Sequence, residues 1–159
     1  MAAEEAMAMT LTYEIVSRDV PTQRVATIRE RVQMTAIGRA MGEGFGEVAR
    51  ATEAAGAEID GLPFAIYHEV SPDEVEVELG FPVLGNVDVG RVRSATLDGG
   101  HVACTVHMGP YEEVGRAYDA LDRWVQMHGR RVVGPSREVY LNDPVTNVVP
   151  LTEVQLPIA

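Results

Sequence analysis

The sequence predicts an α+β domain: two strand-helix-strand-strand units, duplicated about a pseudo-two-fold axis, form a mostly antiparallel sheet with two long helices on one face. Three observations predict it. Two stretches carry apolar residues at spacings of three and four, the mark of amphipathic helices with one buried stripe. Between them Val75, Val77, Leu79 and Phe81 alternate with Glu74, Glu76, Glu78 and Gly80, a period of two that fits a sheet with one covered face. The third observation is an internal repeat of whole elements.

Taken in order, residues 1–10 read as a flexible tail and 11–159 as one domain, with repeat halves of roughly 23–83 and 101–158. A short lead-in contains Tyr13 to Val16, and Gln23 to Val32 then reads as a strand around Val25, Ala26 and Ile28. The first helix places Ile37, Met41, Phe45, Val48, Thr52 and Ala55 on one stripe and stops at Gly56; Gly42, Gly44 and Gly46 weaken its first half. Phe64 to Glu69 is the next strand. Arg91 to Leu97 and His101 to Met108 flank Asp98-Gly99-Gly100, which predicts a tight hairpin with those two strands paired.

Gly109-Pro110 opens the second helix, with Glu112 and Glu113 complementing the positive end of its dipole. Val114, Ala117, Tyr118, Leu121, Trp124, Val125 and His128 form its apolar stripe, and Gly129 ends it. Arg137 to Leu141 and Thr152 to Pro157 complete the strands, separated by a turn-rich loop around Asn142-Asp143-Pro144.

The repeat is legible residue by residue. Val25-Ala26 matches Val102-Ala103; Gly61, Pro63 and Tyr67 match Gly134, Pro135 and Tyr140; Glu78 with Pro82-Val83 matches Glu153 with Pro157-Ile158. Two such units side by side create a groove near the axis, where four strands and two helix starts converge, a usual place for a ligand. The symmetry breaks two residues before the tyrosines, where Ala65 stands in one copy and Glu138 in the other. Alternation puts Glu138 and Tyr140 on the same face, so acid and ring lie side by side. A carboxylate among aromatics attracts a cation, and the ring faces add cation–π energy.

Composition narrows the classes of function. With 46% hydrophobic and 23% charged residues the chain can build a core, and the lone Cys104 excludes an internal disulfide and predicts a reducing, cytoplasmic setting. Residues 1–9 lack the pattern of a secretory signal, and no apolar run is long enough to span a membrane. A net charge of −11, with arginine as every one of the 13 basic residues, opposes direct nucleic-acid binding. His68, His101, His107 and His128 have no ligand-like spacing, so neither metal nor cofactor is expected. Cys104 alternates with Val102 and Val106 as a structural thiol, and the glycines at 42, 44 and 46 do not form a phosphate loop. Trp124 and Tyr118 read first as core. Tyr111 sits beside the groove in a first helical turn, and Tyr67 and Phe81 are further wall candidates.

Gly99-Gly100, His107-Met108-Gly109-Pro110-Tyr111, Trp124, Gly134-Pro135 and the run Glu138-Val139-Tyr140-Leu141-Asn142-Asp143-Pro144 together resemble the GyrI-like superfamily, the bacterial transcription activator effector-binding domain. Gly61-Leu62-Pro63, Tyr67-His68, Phe81-Pro82-Val83 and Leu156-Pro157-Ile158 fit the same pattern. The resemblance implies a duplicated fold that binds amphipathic, often cationic aromatic compounds between its halves, with Glu138 as the acid at the pocket floor. Members occur joined to helix-turn-helix domains, as free-standing drug-binding or gyrase-inhibiting proteins, and as hydrolases of cyclopropane-containing toxins. This chain shows no helix-turn-helix segment, so direct transcription-factor action is not expected of it.

The expectation is therefore a small-molecule binder, acting in sensing or sequestration, whose ligand site comprises Glu138, Tyr140, Tyr111, Tyr67, Trp124 and Phe81. Two alternatives stay open. One is a hydrolase in which Glu138 activates water and Tyr111 or Tyr140 handles the proton; the other is a gyrase-inhibitor-like interaction module. A protein partner or a homodimer is compatible with each.

Overall fold

A computed structural model describes residues 13–142 and 149–159. The predicted tail at 1–10, and the Asp143-Pro144 part of the turn-rich loop, lie outside the described residues. The strands are β1 (Val16–Val20), β2 (Gln23–Gln33), β3 (Glu58–Ile59), β4 (Phe64–Val70), β5 (Glu74–Leu84), β6 (Asp88–Val89), β7 (Val92–Leu97), β8 (Gly100–Met108), β9 (Ser136–Tyr140) and β10 (Leu151–Pro157). Two helices accompany them, α1 (Ile37–Ala54) and α2 (Gly115–Met127), each entered through a 3₁₀ turn, Met34–Ala36 and Tyr111–Glu113.

The sheet runs β1-β8-β10-β9-β4-β5-β2-β7-β6, with β3 added to β5, and its strand pairs are antiparallel. The first unit, β2-α1-β4-β5, and the second, β8-α2-β9-β10, meet edge to edge where β4 pairs β9. Register fixes which face each helix covers. Ala65 lies opposite Glu138, and Glu138 lies opposite Val154, so these three point the same way. Ala65 belongs to the apolar cluster under α1 with Ile28, Val48, Val77 and Leu79. Val154 belongs to the one under α2 with Ala103, Leu121 and Val125. Both helices therefore cover a single face, with Glu138 between their clusters. A third cluster of Val25, Phe64, Ile66 and Leu97 occupies the other face.

The predicted hairpin at Asp98-Gly99-Gly100 is not formed. β7 pairs with β2 and β6, while β8 pairs with β1 and β10, so each half receives as its outer strand the lead-in of the other. The connectors Pro21-Thr22 and Asp98-Gly99 each join strands six places apart in the sheet, which must therefore curl until these corners touch. They cross in contact: the Gly99 amide donates to Thr22 Oγ1 at 2.9 Å, and a Cβ on Gly99 would lie 2.5 Å from the Val20 carbonyl oxygen. The glycine is required for close approach of backbones rather than for a hairpin turn. A local turn signal marks where a strand stops; it does not choose the strand's partner.

Of the glycines in α1, Gly44 has a packing reason. Its Cβ would fall 2.8 Å from Leu79 Cδ1 and 2.9 Å from Ile28 Cδ1, so the helix sits directly on β2 and β5. The stop at Gly56 is formed at φ +72°, and the one at Gly129 at φ +62°. Among the described residues no helix is long and apolar enough to cross a membrane.

Candidate functional site

Glu138 is 2% exposed in the middle of β9, under both helices. Four tyrosine hydroxyls converge on its carboxylate. Tyr111 donates to Oε1 at 2.6 Å, Tyr140 at 2.8 Å and Tyr67 at 3.1 Å, and Tyr118 donates to Oε2 at 2.6 Å. Tyr67 also lies 2.7 Å from the Tyr111 hydroxyl, 3.3 Å from that of Tyr140 and 3.7 Å from Met41 Sδ, which links the cluster to α1. Four different elements place these rings: β4 carries Tyr67, the 3₁₀ turn Tyr111, α2 Tyr118 and β9 Tyr140.

Burial, and then the negative charge of Glu138, hold the phenols of Tyr67, Tyr111 and Tyr118 above the ordinary tyrosine range. Tyr140 is raised by burial first, then by Tyr67 and Glu138. All four stay protonated donors at neutral pH, because ionising any of them would put a second anion beside the first. Among the described residues no Arg or His forms an ion pair with Glu138. A buried carboxylate is normally matched by a cation, since desolvating it costs several kcal/mol. Here neutral hydroxyls satisfy its lone pairs and leave its charge uncancelled.

The turn that presents Tyr111 is itself anchored. His107 is buried, its Nε2 donates to the Pro110 carbonyl at 2.8 Å, and its Nδ1 lies within hydrogen-bond distance of the Tyr13 hydroxyl at 2.9 Å. Gly109, at φ +126°, turns the chain into Pro110.

Of the residues singled out in the sequence, the structure brings Tyr67, Tyr111 and Tyr140 onto Glu138. Phe81 stands one ring away: it packs edge-on against Phe45 at 5.7 Å, and Phe45 packs against Tyr140 at 5.9 Å. Trp124 lies in the cluster under α2 and stacks on His128 at 4.1 Å. Tyr118, read from its helical stripe as core, is the donor the sequence reading missed. The repeat held a signal for it. Buried positions 44, 48 and 52 of α1 match 117, 121 and 125 of α2 at an offset of 73 residues, the same as Tyr67 to Tyr140, and this offset aligns Phe45 with Tyr118. A hydroxyl therefore appears on the helix of the half that carries the acid.

The geometry favours holding charge over moving protons. Three hydroxyls crowd Oε1 and one occupies Oε2, which leaves little lone-pair capacity for a water to be activated. Among the described residues no three His, Cys, Asp or Glu side chains converge as a metal ligand set.

Comparison with known proteins agrees with this architecture. Residues 13–159 match the GyrI-like small molecule binding domain. The crystal structure of the EcmrR C-terminal domain superposes with a TM-score of 0.82 at 20% identity, over 92% of this chain and 98% of that one. EcmrR in its cryo-EM complex with DNA gives 0.83 at 19% identity over 99% of this chain, which spans only 61% of that longer protein. SAV2435 bound to tetraphenylphosphonium gives 0.64 at 14% identity, over 93% of this chain and 94% of that one. At these low identities the superpositions show a shared fold. No curated protein matches the sequence. The chain belongs to the GyrI-like small molecule binding domain family.

Proposed function

We propose that this GyrI-like domain binds an amphipathic aromatic cation at Glu138, as a ligand sensor or a sequestering protein. The carrying observation is a carboxylate that is 2% exposed and held by four neutral hydroxyls, with no ion-pair partner among the described residues. A monovalent cation supplies the missing charge. The surrounding rings of Tyr67, Tyr111, Tyr118 and Tyr140, backed by Phe45 and Phe81, supply apolar walls and roughly 0.5–2 kcal/mol of cation–π attraction each.

Entry requires the ring cluster to part. The first turns of α1 are weakly fixed: Ala36 offers no side-chain cap, and Gly38 and Gly42 face open space. The hydrolytic alternative asks Glu138 to accept a proton from water while four phenols occupy its oxygens, so binding is the better-supported reading.

Titration calorimetry with tetraphenylphosphonium tests it. Glu138→Gln keeps the size and one acceptor oxygen, turns the other acceptor into an NH2 donor and removes the charge, and is expected to weaken binding by about 30-fold or more. Equal affinity in parent and variant, with triphenylphosphine oxide as the neutral control binding just as well, would reject the assignment.

A further inference from the structure

We propose that the sheet face turned away from Glu138 carries a second small-molecule site, which takes an amphipathic monoanion, a carboxylate on an apolar body, with Arg137 as its anchor. Successive residues of a strand point to opposite faces, so Arg137 and Glu138 face away from each other across β9. On the Arg137 side the curled sheet borders a half-open cavity of about 410 Å³, within the range of small-ligand pockets. Phe64, Pro82, Leu97 and Val139 give it an apolar lining.

Three charged side chains border this cavity, and two are already committed to each other. Arg18 donates to Glu153 Oε2 at 2.8 Å and to Cys104 Sγ at 3.2 Å, and Gln155 donates to the same Glu153 oxygen at 2.6 Å. Glu153 is thereby neutralised. Arg137 is different. It is half-buried, its described hydrogen bond is from Nη2 to the Asp98 carbonyl at 2.7 Å, and among the described residues it pairs with no carboxylate. Burial pulls its guanidinium below the usual arginine range, with the Asp98 charge opposing.

The lining therefore carries one net positive charge within a chain of net charge −11. A carboxylate meets the free donors of a guanidinium fork in matching geometry, while its apolar body covers Phe64 and Val139. A cation is disfavoured by Arg137, and an uncharged apolar molecule leaves the guanidinium desolvated without an anion. The site's sign is opposite to that of the Glu138 cluster on the other face.

The probe pair is 2-naphthoate and its neutral isostere 2-naphthamide, titrated into the full chain by calorimetry. Naphthoate is expected to bind, naphthamide to bind at least about tenfold more weakly, and Arg137→Gln to weaken naphthoate by a similar factor. Amide shifts in NMR are expected at Phe64, Leu97 and Val139. No naphthoate binding up to about 1 mM overturns the proposal. So does equal binding of acid and amide, or naphthoate affinity unchanged by Arg137→Gln. Because Arg137 also ties β9 to the Asp98 connector, a variant that does not fold leaves the acid–amide comparison on the unmodified protein to decide.

Discussion

The two halves of the sheet meet their helices with opposite chemistry at equivalent positions. In the first half Ala65 and Phe45 belong to one apolar cluster under α1. In the second half Glu138 accepts a hydrogen bond from Tyr118 at 2.6 Å, so the same sheet and helix positions form a charged, hydrogen-bonded pair. The difference shows how a duplicated scaffold acquires a site. One copy keeps the position apolar and supports the core without electrostatic cost. The other carries the charge, and the symmetry axis lets a tyrosine from the first copy, Tyr67, join three from the second around a single acid.

Transplanting the acid breaks the comparison most severely. Ala65 is fully buried and sits directly across from Glu138, so Ala65→Glu places two carboxylates side by side where Phe45 offers no donor. Chemical denaturation is expected to show a loss of at least about 4 kcal/mol. Adding Phe45→Tyr, which rebuilds the helix half of the second site, is expected to return about 1–2 kcal/mol. A loss under about 1 kcal/mol for Ala65→Glu means the two positions are not different environments.

Next in size is the sheet itself. Gly80 and Gln155 occupy equivalent places, 75 residues apart, yet a Cβ on Gly80 would lie 1.8 Å from the Ala26 carbonyl oxygen. Gly80→Ala is expected to cost about 3 kcal/mol in a denaturant series. Gln155→Ala, which loses a hydrogen bond to Glu153, should cost about 1 kcal/mol. Similar losses at both would mean the sheet bends alike in the two halves.

The smallest effects separate the tyrosines. Tyr118→Phe removes the one donor to Oε2 among the described residues and should cost about 2 kcal/mol, whereas Tyr67→Phe removes the longest of three donors to Oε1 and should cost about 1 kcal/mol. The reverse order would mean that the first half's tyrosine gives the carboxylate its stronger support. Alkaline titration sharpens the same contrast. The four phenols are raised in the folded state, so above the ordinary phenol value of 10 the unfolded chain binds fewer protons. Stability is intact below pH 10 and falls as pH climbs towards the folded values, by about 1.4 kcal/mol per pH unit for each buried phenol. Tyr118→Phe should remove one phenol's share of that slope; an unchanged slope would mean Tyr118 titrates as a free phenol.

Much of this molecule is legible in its residues because the relevant signals are local. Alternation from Glu74 to Phe81 dictates a half-covered strand, and the stripes of α1 and α2 dictate helices with one buried face. The offset between Tyr67 and Tyr140 exposes the duplication, and Ala65 against Glu138 exposes its asymmetry. Tyr118 was obscured because a tyrosine on an apolar stripe satisfies a core reading as readily as a polar one; its hydroxyl acquires meaning only from what lies above it.

Periodicity and repeat thus determined the elements, their duplication and the acid that breaks it. Tertiary structure alone decided that β1 and β7 exchange between the halves, since strand pairing depends on edges brought together from distant sequence. It also decided that four hydroxyls from four elements meet one carboxylate, because convergence in space has no local signature. The same holds for Arg137: the alternation that turns it from Glu138 is local, but the cavity it faces exists only because the whole sheet curls.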